Sequence, residues 1–189
     1  MGGTVSGESA ARYRVVASGF TQRALTVAPP DWSRPAPCEG WVAADIVDHL
    51  VEWVPAFLHE GSGLAIRTGP SADEGPARSW LTMSDQIQAL LDDPDQAGRA
   101  FEHPMVGRHR VDEAVTAFVL PDVLVHTWDL ARATGLDESL DEHEVVLLLD
   151  RVQPLDDVLR QSGQYGPRVD VAPGADPQTR LLAFLGRRP

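Results

Sequence analysis

The stretch Pro121-Asp-Val-Leu-Val-His-Thr-Trp-Asp-Leu-Ala-Arg-Ala-Thr-Gly135 decides how this chain is read. Pro121 stands at the first turn of a helix and Gly135 just past its end, the usual asymmetry of helix punctuation. Each residue advances the helix by about 100°, so Asp122, His126 and Asp129 fall within roughly 60° of one another. Val123, Leu124, Val125, Trp128, Leu130 and Ala131 occupy most of the remaining circumference. A helix apolar nearly all round is expected to be buried. It would carry two carboxylates and an imidazole into the interior, at a cost of several kcal/mol unless they are paired or bind a metal. Trp128 points away from this polar line and is expected in the core or as a plug at the bundle's end.

A second segment, Ala44-Asp-Ile-Val-Asp-His-Leu-Val-Glu-Trp53, repeats the pattern. Ile46, Leu50, Trp53 and Phe57 form an apolar ridge at helical spacing, with His49 on its edge. Both segments contain Asp-x3-His, a one-turn spacing that lets two side chains close on one ion. His49, Asp122 and His126 from two facing helices would make a site of two nitrogens and one oxygen with an open position, as in catalytic zinc centres. The alternative is that each imidazole simply hydrogen-bonds the Asp one turn before it. Asp45 is a reserve ligand, but its direction is toward the polar flank, so it is left outside the site.

Three segments carry a family resemblance: Trp32-Ser-Arg-Pro-Ala-Pro-Cys-Glu-Gly-Trp41, Asp45-Ile-Val-Asp-His49 and Asp122 through Gly135. They resemble the DinB superfamily, in the branch that includes the N-terminal domain of mycothiol-dependent maleylpyruvate isomerase. The ending, Gly166 through Pro189, is similar to the same relatives. The resemblance implies an all-α, up-and-down four-helix bundle with a divalent metal between helices, here a single domain over residues 1–189. It implies His49, Asp122 and His126 as the ligands, with Asp122 where the isomerase has Glu. It further implies zinc, with nickel or another divalent ion admissible, and mycothiol as a thiol cosubstrate attacking a small electrophile. Asp129 would support His126 or act as a base. A metal-dependent hydrolase and a non-enzymatic binding bundle are the alternatives.

The remaining segments fit a helical chain. Residues 1–7 read as a tail, and Tyr13, Val16, Phe20, Ala24 and Val27 mark a first helix from Glu8. Prolines 29, 30, 35 and 37 force an extended connection, with Trp32 and Trp41 expected to plug the bundle's end. The second helix spans about Val42–His59, kinked at Pro55. A Gly/Pro-rich loop over residues 61–76 is expected to have low order. A third helix, about Ala77–Leu91, turns Trp80, Ile87, Leu90 and Leu91 inward. Residues 99–111 suggest a short hairpin whose His103 and His109 are exposed. A helical stretch from Asp112 leads into the fourth helix, kinked at Pro121. A fifth runs from Glu142 to about Gly163, with Glu142-His143-Glu144 as a solvated first turn. Asp176 caps a last short helix.

Composition bounds the function. The formal charge is −12, from 28 acidic against 16 basic residues, which disfavours nucleic acid and anionic lipid as partners. No uninterrupted apolar run approaches the ~20 residues of a membrane span, and no signal peptide is recognisable. Cys38, the only cysteine, excludes an intramolecular disulfide and is consistent with the cytoplasm. It lacks a visible histidine partner and is expected to be non-catalytic. A small-molecule substrate is the expected partner, and a homodimer is admissible.

Overall fold

The computed structural model describes residues 3–69, 75–161 and 166–189. Most of these are helical, and among them the sole sheet has two strands. The chain divides into two compact units, Met1–Asp137 and Glu138–Pro189.

The first unit contains the four long helices: α1 (Gly3–Thr26), α2 (Ala43–Ser62), α3 (Pro76–Asp92) and α4 (Val111–Thr134). Helices α1 and α2 each pack against both α3 and α4. Tyr13, Phe20, Ile46, Leu50, Trp80, Ile87 and Trp128 meet in the core at no more than 1% exposure. The inward ridge of α3 is as the spacing requires, and the Trp80 indole N–H donates to Oγ1 of Thr21 at 2.8 Å. The expected tail is shorter than residues 1–7, because α1 is already helical at Gly3. Within the Gly/Pro-rich loop, residues 70–74 lie outside the described set, but Arg67 is held in place. Gln86 accepts from the Arg67 N–H at 3.0 Å and donates to its carbonyl at 2.7 Å.

The hairpin forms as expected from β1 (Ala100–His103) and β2 (Gly107–Arg110), with Phe101 opposite His109. Gly107, at φ +80°, turns the chain between them. Strand β1 lies against α2, where the Phe101 ring covers Gly61. His103 is not exposed. It is 8% exposed, stacks on Phe101 with planes 13° apart, and places Nε2 3.2 Å from Glu60. His109 is half-buried, hydrogen-bonded to the Val106 carbonyl at 2.9 Å and set edge-on to Phe118.

Helix α4 does not break at Pro121. It first widens into a π-helical turn, Val115–Val119, where the Leu120 N–H reaches the Val115 carbonyl. Proline lacks an N–H and crowds the carbonyl four residues earlier, and a widened turn relieves that conflict. The continuous helix is therefore long and apolar enough to cross a membrane by composition, although acids interrupt the run in sequence. Most of its apolar window is buried within the protein, which marks it as a core helix.

In the second unit, α5 (Glu142–Val152) packs against α7 (Pro177–Phe184). The expected single fifth helix is two: Pro154 imposes a 3-10 turn at Gln153–Leu155 before α6 (Asp156–Gln161). Its expected stop near Gly163 lies outside the described residues. Of the charged first turn, Glu142 and His143 are solvated but Glu144 is 3% exposed. Asp176 caps α7 by accepting from the Thr179 N–H at 3.0 Å.

Candidate metal centre

Helix α2 begins where the Asp45 carboxylate accepts from the Val42 N–H at 2.7 Å. That capping role occupies Asp45 and fixes the start of the helix, so His49 emerges one turn later, facing α4. From α4, Asp122 and His126 come up on the same side, as their four-residue separation dictates. One donor atom from each of His49, Asp122 and His126 lies within 4.8 Å of the others. Nε2 of His49 is 3.2 Å from Oδ2 of Asp122, and Nε2 of His126 is 3.6 Å from Oδ1. A tetrahedral ion with nitrogen and oxygen ligands asks for donors about 3.3 Å apart, close to both nitrogen–oxygen separations here. The side chains of His49 and Asp122 keep 34% and 31% of their surface exposed, while His126 keeps 7%. The cluster therefore opens to solvent on one side.

Three further residues build the site. The Trp53 indole N–H donates to Oδ2 of Asp122 at 2.9 Å, so its role reaches beyond the apolar ridge. Trp41 does more than close a helix end. It stacks on His126 with centroids 5.9 Å apart and planes at 17°, and also touches His49 at 5.2 Å. Cys38, for which the sequence offered no histidine partner, lies beside His126 and Asp129. Its thiol is 3.6 Å from Oδ2 of Asp129.

The connection before α2 explains both arrivals. Pro35 pairs with Val42 in an isolated bridge, and the Ala36 N–H donates to the Trp41 carbonyl at 2.8 Å. Trp41 N–H in turn donates to the Cys38 carbonyl at 3.1 Å. Gly40, at φ +79°, is the third residue of this β-turn, a position glycine takes without strain. Cys38 and Trp41 are thus the two ends of one turn, and both fall against His126.

Electrostatics favour charge separation within the cluster. Burial opposes ionisation of Asp122, but His126, His49 and the Trp53 N–H together hold its carboxyl below the usual range. Burial also pushes the His126 imidazolium down, but Asp122 and then Asp129 outweigh it and raise the pKa to about 10. Nδ1 of His126 lies 2.9 Å from Oδ2 of Asp129. The contact is an ion pair, and this buried nitrogen has no hydrogen bond. Asp129 itself is fully buried, on the line where the helix periodicity puts it.

Two proteins of Mycobacterium tuberculosis, from strains CDC 1551 / Oshkosh and H37Rv, are similar to this chain. Each is described as uncharacterised and is 29% identical, over 81% of this chain and 83% of its own length. No family model matches the chain. No solved structure matches it either.

Proposed function

We propose that the chain is a DinB-like four-helix-bundle protein that holds a divalent cation, zinc by preference, between α2 and α4. In this reading it is a cytoplasmic, mycothiol-type thiol transferase or isomerase for a small electrophilic substrate. The observation that carries the reading is the convergence of His49, Asp122 and His126 at a half-exposed edge of a buried helix. The pairing of α1 and α2 with both α3 and α4 supports the bundle. The thiol chemistry rests on the resemblance of the three site-bearing segments to the maleylpyruvate isomerase branch.

A bound divalent ion would supply Lewis acidity, favouring ionisation of a thiol or water brought to it. The chain's own residues do the positioning. Trp53 fixes one oxygen of Asp122, and Trp41 holds the His126 ring flat against its own. Asp129, against Nδ1 of His126, can hold a proton released in the site. The half-exposed edges of His49, Trp41 and Trp53 leave one open side for a small molecule.

The test is metal analysis of the purified protein, with mycothiol and a panel of small unsaturated acids as substrates. The expected result is thiol-dependent consumption that His49→Ala and Asp122→Ala abolish, together with one bound ion lost in each variant. Retention of that ion by His49→Ala would overturn the site.

A further inference from the structure

The His126 ring has two edges, and each faces its own set of donors. Nε2 looks toward Asp122 and His49. Nδ1 lies 2.9 Å from Asp129, and Cys38 offers a third donor atom within 4.8 Å of one on each of these two residues. His126 is 5% exposed, and Nδ1 is a buried polar atom with no hydrogen bond. Nδ1 thus stands beside a thiol and a carboxylate.

We propose that Cys38, Nδ1 of His126 and Asp129 form a second cation position that takes a thiophilic divalent ion such as zinc or cadmium. Around a tetrahedral zinc, nitrogen and oxygen donors stand about 3.3 Å apart, and sulfur and oxygen donors about 3.5 Å. The corresponding separations here are 2.9 Å from Nδ1 to Oδ2 and 3.6 Å from Sγ to Oδ2. The third pair, Cys38 and His126, lies within 4.8 Å. A thiolate and a carboxylate balance the charge of a dication, and sulfur selects softer ions over magnesium or calcium. On binding, the Cys38 S–H bond breaks, a sulfur–metal bond forms and the proton passes to solvent. A ring holding ions on both nitrogens does so as imidazolate, with its last N–H proton also leaving. Of the three ligands of the site described above the position shares only His126, and it does not rest on that site being catalytic.

Cadmium titration of the whole protein tests this, because a cadmium–thiolate bond gives an ultraviolet charge-transfer band that nitrogen and oxygen ligands do not. The expected result for the wild type is two ions per chain and a strong band. Cys38→Ser, with its fold checked by circular dichroism, should lose the band and one ion. His49→Ala should lose one ion and keep the band. A wild type without the band overturns the proposal without recourse to any variant. So does a band that disappears in His49→Ala, since Cys38 would then serve the first ion. A wild type with one ion and a band lost only in Cys38→Ser supports the second position while removing the first.

Discussion

The indole N–H of Trp53 donates to Oδ2 of Asp122 across 2.9 Å, from one helix to the carboxylate of another. It leaves Oδ1 as the freer oxygen, 3.6 Å from His126. A hydrogen bond of this kind orients a ligand before the ion arrives, and its loss typically costs about 10–100-fold in metal affinity. Trp53→Phe keeps the ring and removes the donor. Competition titration with a chelator should show that loss, with little change in melting temperature. Unchanged affinity would reduce Trp53 to packing.

Acidity gives a second prediction. In the metal-free protein the His126 pKa is raised from 6.5 to about 10. A raised pKa stabilises the fold below about pH 6.5, and that contribution is lost as pH climbs through about 10. An ion at His126 must displace this proton, so affinity should rise about tenfold per pH unit between those values. Asp122, held below the usual carboxylate range, stays ionised throughout and adds no slope of its own. Calorimetry in buffers of different ionisation enthalpy would detect the released proton, and affinity flat from pH 7 to 9 would contradict the assignment.

Trp128 is 1% exposed in the core, with the Arg132 guanidinium 4.7 Å from its ring centroid on the outer side. Trp128→Ala should cost about 3–5 kcal/mol by chemical denaturation. At a temperature where the variant remains folded, its ion stoichiometry should equal that of the wild type. A variant that lost the ion but kept its melting temperature would put Trp128 in the site instead.

Gly61 offers a packing test away from the metal. A Cβ there would overlap the Phe101 ring. Gly61→Ala should therefore destabilise by about 1–3 kcal/mol, as overpacking does. Adding Phe101→Leu should return part of the loss, and a thermal melt of the double variant no better than the single would argue against this contact.

The polar line of α4 was legible because a four-residue spacing is a local property: Asp122 and His126 share a face in any helix. His49 came from the same motif on the facing helix. Cys38 and Trp41 were not legible as site residues, because the tight turn at Gly40 and the bridge from Pro35 to Val42 carry them to His126. No periodicity records such a turn's direction. The burial of His103 likewise follows from hairpin docking onto α2, which the residues of the strand do not announce. Pro121 predicts a disturbed hydrogen-bond ladder, because proline lacks an N–H, and the disturbance lies in the π turn just before it, at Val115–Val119.

The π turn at Val115–Val119 makes α4 asymmetric in its tolerance of length change. Such a turn is geometrically an α-helix with one surplus residue looped into it. Removing Ala117 would draw that loop straight and restore the conflict at Pro121, yet leave the two ends of the helix in their present phase, so His126 would still meet His49. Removing Val125 would instead rotate His126 by about 100° relative to Asp122 and scatter the donors. The helix thus holds a spare unit of length upstream of the site and none inside it.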